Sequence, residues 1–191
     1  MKKIIALIMV AVLMLTFAAC GAKENGKDET PEVTIASPVE LLNAVWAAHT
    51  DDEKFPVAGG DMTEANMNME GPGVYGLEDA EGFAAITHFP ADSMAKIDSA
   101  ATLMHMMNAN TFTCAAYHVT DADMATLTTE VKDSVMATRW MCGFPEKLVI
   151  VTVGDYMVSY FGNAQLVDNF TAKFKVAYPE ASVVVDEAIV A

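Results

Sequence analysis

The chain has 191 residues, 26 of them acidic and 11 basic, for a formal net charge of −15. That acidity excludes nucleic-acid binding through a basic face and an electrostatic grip on anionic lipid. The length suits one domain with a tail.

The N-terminus reads MKK, then the apolar run IIALIMVAVLMLTFAA, then Cys20-Gly21. A membrane-spanning helix needs about 20 apolar residues with flanking anchors, whereas here roughly 16 lead straight into small residues and a cysteine, the pattern of an export signal. Residues 1–19 are therefore expected to be removed. Phe17-Ala18-Ala19-Cys20-Gly21 resembles the lipobox of bacterial lipoproteins, with Phe17 where an aliphatic residue is usual. The resemblance implies that Cys20 is acylated and begins the mature chain, which is then held on the outer face of the cell membrane. Acyl chains contribute about 0.8 kcal/mol per buried CH2, so no spanning helix is needed. Cleavage removes Lys2 and Lys3 and leaves the remainder more acidic still, so the anchor alone is expected to make the membrane contact.

Residues 20–36 are charged and poor in large apolar groups, which reads as a disordered tether. One α+β domain is expected over 37–191. Ser37-Pro38-Val39-Glu40 combines a serine N-cap, a proline at the first helical position and a glutamate placed for a capping box. A helix follows with Val39, Leu42, Val45 and Trp46 on one face. Residues 51–89 predict turns, with a brief strand at Gly73 to Leu77. Met94, Ile97, Ala101, Met104 and Met107 recur at helical spacing and predict a second helix from Pro90 to about Asn108. Phe112 to Val119 then alternates as a strand. Thr120-Asp121-Ala122-Asp123 caps a third helix with Met124, Leu127, Val131 and Val135 on its apolar stripe, reaching about Trp140. Lys147 to Val153 and Tyr156 to Phe161 flank Gly154-Asp155 as a hairpin. Gly162-Asn163 caps a fourth helix carrying Leu166, Val167, Phe170 and Phe174, and SVVVDEAIV closes the chain as an edge or terminal strand. From about 112 to 188 the order is βαββαβ. It predicts a ferredoxin-like, four-stranded antiparallel sheet with both helices on one face, preceded by two extra N-terminal helices.

The stretch MHMMNANTFTCAAYHV, residues 104–119, carries three methionines, two histidines and a cysteine that can hold a soft metal. On the predicted elements they diverge. Cys114 and His118 share a strand face roughly 13 Å apart, and on a helix Met106 points away from Met104. A copper chaperone of ferredoxin-like fold would carry Met-x-Cys-x-x-Cys, which is absent. Helical methionine spacing is the ordinary mark of core filling. Catalysis finds no purchase either. There is no Cys-x-x-Cys pair, serine elbow, phosphate-cradling glycine loop or HExxH helix. The pairs Asp51-Asp52, Glu78-Asp79 and Asp186-Glu187 read as solvated surface. An exported chain permits a disulfide between Cys114 and Cys142, and two buried free thiols are the other reading.

Ala115-Ala116-Tyr117-His118-Val119, the loop Cys142-Gly143-Phe144-Pro145-Glu146-Lys147-Leu148 and Val153-Gly154-Asp155-Tyr156 resemble a family of small uncharacterised lipoproteins of Gram-positive anaerobes. The resemblance spans most of residues 38–178. Some members carry the label bacteriocin transport accessory protein, which belongs properly to thioredoxin-like proteins with a Cys-x-x-Cys pair. This sequence lacks that pair, so no redox mechanism follows.

The expected function is that of a membrane-anchored, extracytoplasmic and non-catalytic binding or accessory protein without a cofactor. It would act through a protein or peptide partner, with bacteriocin or peptide export as the setting the resemblance implies. The alternative is an extracytoplasmic lipoprotein that binds copper or another soft metal through Met62, Met67 and Met69.

Overall fold

A computed structural model describes residues 34–190, apart from Met62 and Asp121. The signal segment, Cys20 and the tether up to residue 33 lie outside the described residues. In chain order the strands are β1 (Val57–Ala58), β2 (Gly73–Tyr75), β3 (Ile97–His105), β4 (Phe112–Val119), β5 (Lys147–Val153), β6 (Tyr156–Gly162) and β7 (Ser182–Ala188). The α-helices among the described residues are α1 (Pro38–Ala47), α2 (Ala80–Thr87), α3 (Met124–Met136) and α4 (Ala164–Ala177). None of these helices is long and apolar enough to cross a membrane.

Local signals account for most of these elements. The Ser37 side chain accepts the Glu40 N–H at 3.3 Å, and Pro38 opens α1. Asp123 and Asn163 cap α3 and α4 in the same way, by accepting the Thr126 and Gln165 N–H groups. Gly154 takes φ 53, a left-handed conformation that costs glycine little, and closes the β5–β6 hairpin.

The largest departure from the sequence pattern lies between Pro90 and Asn108. A 3-10 turn over Ala91–Lys96 leads into β3 where a helix was expected. Ala100, Ala101, Thr102 and Leu103 are all buried, because β3 is covered on both faces. A strand buried on both faces loses its polar–apolar alternation, so the spacing of Met94, Ile97, Ala101, Met104 and Met107 mimics a helix by coincidence. In residues 51–89 the expected brief strand is the three-residue β2. That segment also forms β1 and α2, whose start is capped by Asp79.

β3 in turn changes the sheet. The strands form one antiparallel sheet in the order β1-β3-β4-β6-β5-β7, with β2 also paired to β3. In the ferredoxin-like arrangement the last strand would lie beside the first of the βαββαβ unit, which is β4. Here β3 occupies that edge of β4, pairing from Ile97–Val119 to Met104–Thr113, and β7 adds at the far edge beside β5. The four-stranded ferredoxin-like topology is therefore replaced by a seven-stranded sheet.

The helix positions follow from this order. The β4-to-β5 connection crosses over β6, and the β6-to-β7 connection crosses over β5 in the same direction along the sheet. β4 and β6 run antiparallel, so right-handed crossovers place α3 and α4 on opposite faces. Two core layers result. In one, Leu41, Leu42 and Val45 of α1 and Val167, Phe170 and Phe174 of α4 pack on Leu103, Cys114 and Tyr160. In the other, Phe83 of α2 and Leu127, Val131 and Val135 of α3 pack on Ala115, Tyr117 and Phe161.

Phe170 is fully buried, with its ring 5.2 Å from Phe112 and 5.0 Å from Tyr160. Phe170→Ala is expected to lower unfolding free energy by about 3–5 kcal/mol in a urea titration. Met107→Ala, at a position 80% exposed, is expected to change it by less than about 0.5 kcal/mol.

Candidate functional site

The site is built where β3 runs out. Met104 and His105 end the strand, and Met106, Met107 and Asn108 turn the chain toward β4. The loop between β1 and β2 folds over this end and is held by its backbone. Gly59 and Asn68 exchange two N–H···O bonds of 2.8 and 2.9 Å. Gly60 adopts φ 85 and donates its N–H to the buried Thr102 hydroxyl at 2.9 Å, which only a residue tolerant of the left-handed region does without strain. The Asp61 carboxylate accepts the Thr63 hydroxyl and N–H, the Asn66 side-chain amide and the Gly76 N–H. These bonds, led by those from Thr63 and Asn66, hold its pKa well below the usual carboxylate range.

Met67 and Met69 flank the bridged Asn68, and Met104 and Met106 flank His105. Asn68 bridges Gly59 and His105 pairs with Val57, so both pairs are anchored on the β1 segment. Both pairs line the same cavity of about 340 Å³, together with Met107, His105 and a floor of Ala58, Gly59 and Gly60. The methionines of the 104–107 run therefore meet those of the loop, where the helical reading made them diverge. Met62, the third methionine of the alternative metal reading, lies outside the described residues.

A second cavity of about 200 Å³ opens on the other side of Asn108, lined by Asn110, Thr111, Gly143, Phe144, Glu146 and Asn163. Its asparagines are engaged in holding the chain. Asn108 donates to the Cys142 carbonyl at 3.0 Å, and Asn110 donates to the Met141 and Gly143 carbonyls. The latch holds up Met141, 72% exposed, and Phe144, 64% exposed. Met67, Met69, Met106, Met107, Met141 and Phe144 thus gather around one end of the sheet, and they are six of the ten large apolar side chains exposed among the described residues.

Cys114 and Cys142 are both free. The disulfide reading is corrected by their positions. Cys114 is shut into the core layer under α1 and α4, while Cys142 is exposed on the latched loop at φ 62. Burial pushes the Cys114 thiol well above its ordinary pKa, which keeps it protonated and unreactive.

The four histidines are dispersed. His49 is buried between Trp46 and Phe170, and His88 packs on Trp140 and Phe161. His118 pairs with Asp98 at 2.7 Å, and His105 stacks on Phe55 at the cavity. Among the described residues no three His, Cys, Asp or Glu side chains come together as a metal-binding group. Asp79 caps α2, and Asp186 and Glu187 pair with Lys147 and Lys132. From Phe55 to Ala95 the sequence carries seven acidic residues and no lysine or arginine.

Comparison with protein-family models, with curated proteins and with solved structures finds no match to this chain.

Burial lowers the pKa of both His49 and His88 below the ordinary 6.5, and at His49 the nearby Lys173 adds to the effect while Glu53 opposes it. A histidine kept neutral by the fold binds fewer protons than it does in the unfolded chain. Its contribution is therefore complete above about pH 6.5 and is lost as pH falls below it. Stability measured by urea titration is expected to drop from pH 7 to pH 5, and the double variant His49→Gln, His88→Asn is expected to flatten that slope.

Proposed function

We propose that this chain is a lipid-anchored, extracytoplasmic binding protein with no catalytic role of its own. Its methionine-rich end receives an apolar, positively charged segment of a protein or peptide partner. The observation that carries the reading is the gathering of Met67, Met69, Met104, Met106 and Met107 around one cavity, with Phe144 exposed at the neighbouring cavity across Asn108. Solvent-exposed apolar groups clustered in this way mark interaction sites. Methionine side chains, unbranched and polarizable, adapt to partners of varied shape.

The charge of the segment follows from the surroundings. The loop that supplies Met67 and Met69 also supplies Asp61, Glu64 and Glu70, and no lysine or arginine lies between Phe55 and Ala95. A partner that buries aliphatic side chains among the methionines meets a negative rim, so basic flanking residues complement it. The resemblance to the lipoprotein family supplies the setting, accessory work in bacteriocin or peptide export at the outer face of the membrane. Cys20 supplies the anchor.

Two measurements bear on this. A fatty-acid probe fed to cells should label the protein, and Cys20→Ala should abolish the label; an unlabelled wild type removes the anchor from the reading. A fluorescent peptide of alternating leucine and lysine should bind, while leucine–glutamate and serine–lysine peptides should not. Met106→Ala, Met107→Ala and Phe144→Ala together should weaken binding about tenfold. Equal binding of the leucine–glutamate peptide, or indifference to the three substitutions, overturns the docking site.

A further inference from the structure

Thioethers do more than pack, and the cavity collects them at an unusual place. Methionines used as core filler in this chain are buried or half-buried: Met157 within the sheet, and Met94, Met124 and Met136 against the layer under α2 and α3. Met67, Met69 and Met106 are instead between 41% and 48% exposed. Gap filling does not account for side chains that face an open cavity.

We propose that the cavity holds one soft monovalent cation, Cu(I) or Ag(I), on the thioethers of Met67, Met69, Met104 and Met106. This deepens the binding reading above, rests on the same pocket, and adds an ion beside the docking rim. Four features carry it. Two Met-x-Met units, one from the β1–β2 loop and one from the end of β3, line the same 340 Å³. The residue between each pair of methionines is anchored on the β1 segment, Asn68 through its bridge to Gly59 and His105 through its pairing with Val57. Each methionine has three side-chain torsions with which to close on an ion. Thioether ligands select Cu(I) and its heavier analogue over the harder divalent metals.

His105 sharpens the selectivity. Its Nδ1 accepts the Met107 N–H at 3.2 Å, and a backbone N–H can only donate. In that arrangement the neutral ring carries its hydrogen on Nε2, and its one lone pair is engaged by the Met107 N–H. A ligating histidine ordinarily donates its second nitrogen's hydrogen to an acceptor, the reverse of what is found here. The ligand set is thus neutral sulfur alone, which suits a monovalent d10 ion and gives little hold on Zn(II) or Cu(II). Neutral ligands leave the ion's positive charge uncompensated. The acidic loop, with Glu64 and Glu70 close to Met67 and Met69 in sequence and no lysine or arginine from Phe55 to Ala95, offsets it.

The test uses the full chain carrying Cys20→Ser and Cys142→Ser, which leaves the core-enclosed Cys114 as its one thiol. Native mass spectrometry with Ag(I), and anaerobically with Cu(I), should show one ion per chain, and competition with a chromophoric Cu(I) chelator should give its affinity. Met67→Leu with Met69→Leu keeps volume and apolarity while removing two sulfurs. It should weaken Ag(I) and Cu(I) binding by about tenfold or more, whereas Met124→Leu on α3 should leave it unchanged. The same double variant should keep its leucine–lysine peptide binding to within about twofold, because a Leu-for-Met exchange conserves packing. The metal site and the docking site therefore fail separately. Absence of an adduct, an adduct indifferent to Met67→Leu with Met69→Leu, or an equally tight Zn(II) adduct overturns the metal site.

Discussion

The pairing of β3 with β4 is the constraint on which the rest of the molecule depends. By taking the open edge of β4 it denies that edge to β7, which then adds beside β5. That one displacement reverses the second crossover relative to a ferredoxin-like sheet and sends α4 to the face opposite α3. The sheet is thereby covered on both sides, by α1 and α4 on one and by α2 and α3 on the other. Helix α1, which would have no strand of its own to lie on in a four-stranded sheet, finds Ala101 and Leu103 of β3 beneath it.

The same strand explains what the sequence makes legible and what it hides. From Phe112 onward each element announces itself locally: β-branched runs in β5, Gly154-Asp155 at the hairpin, Asp123 and Asn163 at helix starts. Such signals depend on a few neighbours in the chain and survive in any tertiary setting. β3 has no such signal. Its residues Ala100, Ala101 and Thr102 are small and buried on both faces, and burial of this kind is decided by distant partners. α2 is hidden differently. Its eight residues include Gly82 and carry only Phe83 and Thr87 as buried anchors, too few to form a periodic stripe.

The site inherits this division. Met67 and Met69 are visible in the sequence as ligand types, and so is the run 104–107, but their meeting is a tertiary fact. It requires β3 to be a strand, whose end carries Met104 and Met106 to the cavity wall, and it requires the β1–β2 loop to be drawn over that end. Gly60 and Asp61 do the drawing, through the bond to Thr102 and the four donors on the Asp61 carboxylate. The local signal for this was present in Gly59-Gly60-Asp61, a turn sequence able to take positive φ and accept backbone N–H groups. The two cysteines show the opposite case. Their identity invites a pairing that the sheet prevents, since Cys114 lies in mid-strand under two helices and Cys142 on a loop at its rim.

Electrostatics completes the division of labour between the two ends of the molecule. Four of the described lysines are engaged in ion pairs. Lys147 bridges Asp168 and Asp186, Lys132 meets Glu187, Lys96 meets Glu130, and Lys173 meets Glu53. These pairs cancel charge along α3, α4, β5 and β7. The loop that lines the cavity carries Asp61, Glu64 and Glu70 with no lysine or arginine in its own sequence, so negative charge stands next to exposed sulfur and apolar surface. A field of that sign favours cations, and under the proposals above the methionines would decide whether a metal ion or the basic flank of a peptide stays, by softness and by apolar fit. In the proposed reading attraction and selection are carried by different residues: the acidic residues of the loop would set how often a ligand arrives and the thioethers how long it remains.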